Sequence, residues 1–110
     1  MANVFKNSVT GSIGTSGVIV YQAPAATTTT VIGLNIANAA SNNISVSTMV
    51  RDSIGNKTAY LVKDAIVVAG STTVLFGGEQ KLVLKSGDFL SVTSSLANSA
   101  DVIVSVLELT

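Results

Sequence analysis

The stretch Ala100-Asp-Val-Ile-Val-Ser-Val-Leu-Glu-Leu-Thr110 decides how the rest of the chain is read. At a period of two, Val102, Val104 and Val106 fall on one face, while Ile103, Ser105, Leu107 and Leu109 fall on the other. Apolar groups on both faces place this strand centrally in a sheet, or under a neighbour that covers its second face. A β-protein is expected, and the remaining sequence agrees. Val, Ile and Thr dominate, with Ser, Gly and Asn as punctuation.

Working back along the chain, Ile44, Val46, Thr48 and Val50 alternate with Ser45, Ser47, Met49 and Arg51, the pattern of a half-buried strand. In TTVIGLNIANA, alternation sets Ile32, Leu34 and Ile36 against Val31, Gly33, Asn35 and Ala37. In TAYLVK it sets Ala59, Leu61 and Lys63 against Tyr60 and Val62. Turn chemistry separates these runs at Ala23-Pro-Ala-Ala26, at Asn38 through Asn43, at Asp52-Ser-Ile-Gly-Asn56, at Val68-Ala-Gly-Ser71 and at Gly77-Gly78. Lys85-Ser-Gly-Asp88 reads as a tight reversal between LVL and FLSV, and Leu96-Ala-Asn-Ser99 as the turn that closes a last hairpin. About eight strands at a spacing of roughly 8–12 residues predict an all-β fold. The expected architecture is one antiparallel β-sandwich domain over residues 1–110, wound as a jelly-roll or Greek key.

Composition narrows the function. Charged residues make up 11% of the 110 residues, against roughly 25% in an ordinary soluble domain. Six basic and six acidic side chains cancel, which argues against partners that are nucleic acid or an anionic membrane surface. A net charge near zero also favours association. The densest apolar run, Ala65-Ile-Val-Val-Ala69, is far shorter than the ~20 residues of a membrane-spanning helix, and the first residues do not read as a secretory signal. Synthesis and assembly in the cytoplasm are expected.

With neither His nor Cys, thiol chemistry and disulfides are excluded and the usual base near neutral pKa is missing. Gly11-Ser-Ile-Gly14 is not a nucleophile elbow, and Gly77-Gly78 lacks the lysine of a phosphate loop. The carboxylates Asp52, Asp64, Glu79, Asp88, Asp101 and Glu108 form no calcium-loop spacing. Asp88, after Gly87, is read as a turn residue that bonds backbone N–H groups. Glu108 is expected at the solvent surface; were it to face a neighbour, it would pair with a basic residue such as Arg51. Asn43-Ile-Ser45 and Asn56-Lys-Thr58 match a glycosylation sequon by chance. The aromatics Phe5, Tyr21, Tyr60, Phe76 and Phe89 are scattered, which gives no stacking platform for glycan or single-stranded nucleic acid. No catalytic, metal, cofactor or small-molecule site is assigned.

Residues 1–38, MANVFKNSVTGSIGTSGVIVYQAPAATTTTVIGLNIAN, resemble the start of small virion structural proteins of tailed bacteriophages, especially those of marine and cyanobacterial hosts. So do YLVKDAIVVAGST, GGEQKLVLKSGDFLSVTSS and ADVIVSVLELT, which extend the resemblance over essentially the whole chain. Leu84-Lys-Ser-Gly-Asp-Phe-Leu-Ser-Val92 is also similar to a reversal found in trimeric jelly-roll proteins. The resemblance implies a non-enzymatic virion component, first a decoration or cement protein on the major capsid protein. The alternatives are a neck, tail, baseplate or fibre-base adaptor and, behind these, a receptor- or glycan-binding module. A homo-oligomer, as a trimer, is expected to bury apolar surface from the N-terminal segment (Val4, Phe5) or the C-terminal strand.

Overall fold

The alternation of the last strand is built into the molecule: Val102, Val104 and Val106 are buried while Ile103 is exposed. The computed structural model describes residues 3–76 and 81–110. Their regular elements are nine strands: β1 (Asn3–Ile13), β2 (Val18–Gln22), β3 (Thr28–Asn38), β4 (Ile44–Asp52), β5 (Lys57–Val67), β6 (Thr72–Phe76), β7 (Leu82–Leu84), β8 (Phe89–Ser94) and β9 (Ala100–Leu109). Two antiparallel sheets form a sandwich. Sheet A runs β1-β9-β3, with β6 and β7 following one another along the far edge of β3; sheet B runs β2-β8-β4-β5. Since β6 and β7 occupy one edge position, nine strands fill the eight positions expected from the sequence.

Strand order identifies the winding. Only β4 and β5 form a hairpin between chain neighbours. Every other connection changes sheet, apart from β6 to β7, which share the β3 edge. This is the jelly-roll. Two reversals read as hairpins are therefore corrected. Lys85–Asp88 carries the chain from sheet A to sheet B, and Leu96–Ser99 carries it back. Local turn chemistry fixes where a strand stops; burial of both inner faces fixes which sheet the next one joins. The Gly77-Gly78 turn lies outside the described residues.

The core between the sheets is aliphatic. Leu34, Ile36, Ile44, Val46, Leu84, Leu90 and Val92 interlock with the three valines of β9. Each such side chain contributes about 1.5–3 kcal/mol on burial. Sheet A carries a β-bulge between Val31 and Gly33, and this overturns the alternation drawn for β3. One extra residue shifts the phase, so Val31 is buried with Leu34 and Ile36 while Ile32 turns outward to line a depression with Phe5 and Ser105. Shifts in the β4–β5 register act alike: Tyr60 partners outward Met49, whereas Val62 partners buried Thr48.

Loops gather at the two ends. At one, Asp88 accepts hydrogen bonds from the backbone N–H groups of Lys85 and Ser53, both at 2.9 Å, tying the β7–β8 crossover to the β4–β5 hairpin. The same crossover holds the β2–β3 loop through Gly87 N–H to the Ala23 carbonyl and Ala23 N–H to the Asp88 carbonyl. Gly87, at φ 87°, supplies the left-handed backbone this turn needs. At the other end, Asn38 donates to the carbonyls of Asn42 and Val67, and Ser94 and Ser99 pair hydroxyls at 2.5 Å.

Candidate interaction surface

Cross-strand partners in an antiparallel sheet share a face, so the register of sheet A specifies what it presents outward. From β1 come Phe5, Asn7 and Val9, opposite Leu107, Ser105 and Ile103 of β9. From β3 come Thr30, Asn35 and Ala37, and beyond them Val74 of β6 and Val83 of β7. Phe5 is 74% exposed, Val9 73%, Val74 65%, Val83 59% and Ile103 44%. Among the described strand residues of this face the one charge is Asp101, at its margin, where it accepts the Ser12 N–H. The sequence offered the N-terminal segment or the C-terminal strand as an apolar surface; the fold joins Phe5 to Leu107 and makes the two one patch. Val4 points the other way, opposite Glu108.

The outward face of sheet B differs. It presents exposed Ile19 and Ile66 among Ser47, Met49, Arg51, Tyr60 and Thr93, and the β4–β5 hairpin carries Arg51, Asp52, Lys57, Lys63 and Asp64. The Lys63 ammonium sits 4.9 Å from the Tyr60 ring centroid. Arg51 donates to Thr58 and Asn56 within its own hairpin. Asp52 accepts the Gly55 N–H and lies 3.6 Å from Lys85 Nζ; chiefly because of the Gly55 bond, its pKa is held below the ordinary value.

One polar cluster crosses the sandwich, and it corrects the expectation for Glu108. That residue is buried, in phase with Val102, Val104 and Val106, and its partner is Lys6 rather than Arg51. Glu108 Oε1 is 3.0 Å from Lys6 Nζ, and Oε2 accepts the Tyr21 hydroxyl at 2.6 Å. Having donated its only proton to the carboxylate, the Tyr21 oxygen accepts from Thr29 at 2.8 Å. Tyr21 belongs to sheet B while Thr29 and Glu108 belong to sheet A, so the cluster pins the layers together. Burial, with Glu108 alongside, pushes the Tyr21 hydroxyl up to about 12. The Tyr21 bond, ahead of Lys6, holds the Glu108 carboxyl below its ordinary value. The period-two signal that placed the valines inside already contained this residue; only its charge argued against burial.

Asp88 is the backbone-binding turn residue expected of it. No group of three or more His, Cys, Asp or Glu suited to a metal ion occurs among the described residues. The sequon Asn43 accepts the Ala69 N–H, and Asn56 bonds Arg51.

No family model and no curated protein matches the chain. Solved structures do. The chain is similar to a subunit of the disulfide-linked pili of Bacillus endospore appendages, at 14% identity and a TM-score of 0.55, over 98% of this chain and 88% of that one. It is also similar to a chain of the T13 particle of the virus IBDV, at 8% identity and a TM-score of 0.53, covering 96% of this chain. It spans about a third of that viral chain, 35% of its length. At these identities the likeness is one of fold: a jelly-roll shared with subunits of a pilus and of a viral particle.

Proposed function

We propose that this chain is a non-enzymatic structural subunit that works by protein–protein contact, as a decoration or cement protein on the head of a tailed bacteriophage. The observation that carries this reading is the outward face of sheet A, where exposed Phe5, Val9, Val74, Val83 and Ile103 share one surface almost without charge. An exposed face this rich in apolar side chains and this poor in charge supports a contact site. Many copies repeated by symmetry sum small contacts into a stable shell, so no single residue need dominate. The jelly-roll shared with pilus and capsid subunits supports assembly, and the sequence resemblance to phage virion proteins supports the kind of particle. The pilus neighbour is described as disulfide-linked; these 110 residues hold no Cys, so they cannot make that linkage.

Mass spectrometry of purified particles, with heads and tails separated, tests the reading. The chain is expected in heads, at a copy number that follows the capsid lattice. Recovery in tails alone moves it to an adaptor role, and absence from particles overturns the proposal.

A further inference from the structure

A sandwich of two open sheets leaves four edges, and each is a template for another strand unless something blocks it. Three of the four are blocked. β2 has five residues and a register shift between Ile19 and Tyr21, and its Val20 carbonyl already accepts the Ser8 hydroxyl at 2.7 Å. The β6/β7 edge is split into pieces of five and three residues. β5 is long but carries Lys57, Lys63 and Asp64, two register shifts against β4, and a left-handed residue at Asp64 (φ 54°). Each is a known means of keeping a sheet edge from pairing.

β1 has such irregularity only at its far end, where its register with β9 shifts between Thr10 and Ile13 and Ser12 is left-handed (φ 57°). It is eleven residues long and keeps unbroken register with β9 from Asn3 to Thr10. No described strand pairs with its other edge. Its one charge, Lys6, is tied to Glu108 within the same chain.

We infer that the free edge of β1 is a strand-addition site, and that its occupant is β1 of a second copy, antiparallel about a two-fold axis at Asn7. The sequence of the edge is self-complementary in that register. Phe5 meets Val9 of the other copy, an aromatic–β-branched pair of the kind that stabilises adjacent strands. Lys6 meets Ser8, Asn7 meets Asn7 and Val4 meets Thr10, so no like charges oppose. Moving the axis to Lys6 would set two ammonium groups against each other, which disfavours that neighbouring register. With six basic and six acidic residues per copy, net repulsion is absent as well. The pairing makes one sheet of two A sheets and extends the outer apolar face across both copies. Such a contact is isologous and closes as a pair; the trimer expected from sequence is its competitor. It does not depend on which particle the chain serves.

The test is amide hydrogen exchange by NMR on the full chain at low and high concentration, alongside sedimentation velocity. In the lone chain, alternate amides of β1 bond to β9 and the intervening ones face solvent. On dimerisation those outward amides between Asn3 and Thr10 become protected, by about tenfold when nine copies in ten are paired. Phe5→Lys with Val9→Lys, at two exposed positions, is expected to abolish dimer and added protection while leaving the protection of core amides unchanged. Val74→Lys with Val83→Lys, on the same outer face but away from the edge, is expected to leave both intact. A monomer at every concentration, a trimer whose β1 amides still exchange, or a dimer broken by the second pair and not the first would each overturn the inference.

Discussion

Sheets A and B are held by the same aliphatic layer, yet they turn very different surfaces outward. Sheet A shows Phe5, Val9, Ile103, Val74 and Val83, and among the described strand residues of that outward face the one charge is Asp101, at its margin. Sheet B shows Ile19 and Ile66 among Ser, Thr, Met and Tyr, and its β4–β5 hairpin carries Arg51, Asp52, Lys57, Lys63 and Asp64. A low overall charge is thus not spread evenly. Charge is gathered on the hairpin of the sheet whose long edge is guarded and is sparse on the outward face of the sheet whose long edge is open. That division supports the proposed use of the outer face of sheet A for contact.

Five substitutions sharpen or break this comparison. The inner layer sets the upper limit, because both sheets depend on it equally. Ile36→Ala is expected to cost about 2–5 kcal/mol, read as a lower midpoint in urea, and a loss below 1 kcal/mol would show that the sheets pack less tightly than described. The clamp between the layers comes next. Tyr21→Phe removes the bonds to Glu108 and Thr29, at an expected cost of about 1–2 kcal/mol.

That clamp also predicts the pH dependence. Tyr21 titrates higher in the folded state, so its contribution is complete below pH 10 and lost as pH rises from 10 toward about 12. Glu108 titrates lower when folded, so its contribution is complete above its ordinary value of 4.5 and fades as pH falls below it. Thermal melts of Tyr21→Phe across pH should therefore lose most of the alkaline decline seen in the parent chain. An unchanged alkaline limb would place its origin elsewhere.

A smaller effect, of opposite sign, is expected on the inner face of sheet B. The Thr48 hydroxyl is fully buried without a hydrogen-bond partner. Thr48→Val keeps the shape and removes a desolvated hydroxyl, and is expected to raise stability by about 1 kcal/mol. A loss of stability would mean the hydroxyl is satisfied in solution. Smallest of all are the outer faces themselves. Val83→Ser in sheet A and Ile66→Ser in sheet B should each change stability by less than about 0.5 kcal/mol, and only the first should weaken attachment to a particle.

Much of this was legible in residue alternation. Apolar residues on both faces of β9 pointed to a central place or a covered second face, and it lies between β1 and β3; the alternation of Ile44, Val46 and Thr48 gave β4 its buried face. Bulges hid the rest, since one inserted residue exchanges faces without changing composition: Ile32 points out and Val31 in. Glu108 was hidden for a different reason. Its partners, Tyr21 and Lys6, lie on strands far away in sequence, and only the sandwich brings them to the carboxylate. The two crossover turns read as hairpins because a turn's residues record that the chain reverses, not the sheet in which it continues. The apolar face was half visible: Phe5 and Leu107 could each be picked out, but their pairing required the β1–β9 register.

An electron-microscopy map of the intact particle tests the division between the sheets most directly. Phe5, Val83 and Ile103 are expected to lie against protein, with the Asp52–Asn56 turn and Lys63 in solvent. A map in which sheet B is covered and the outward face of sheet A meets only water would contradict it.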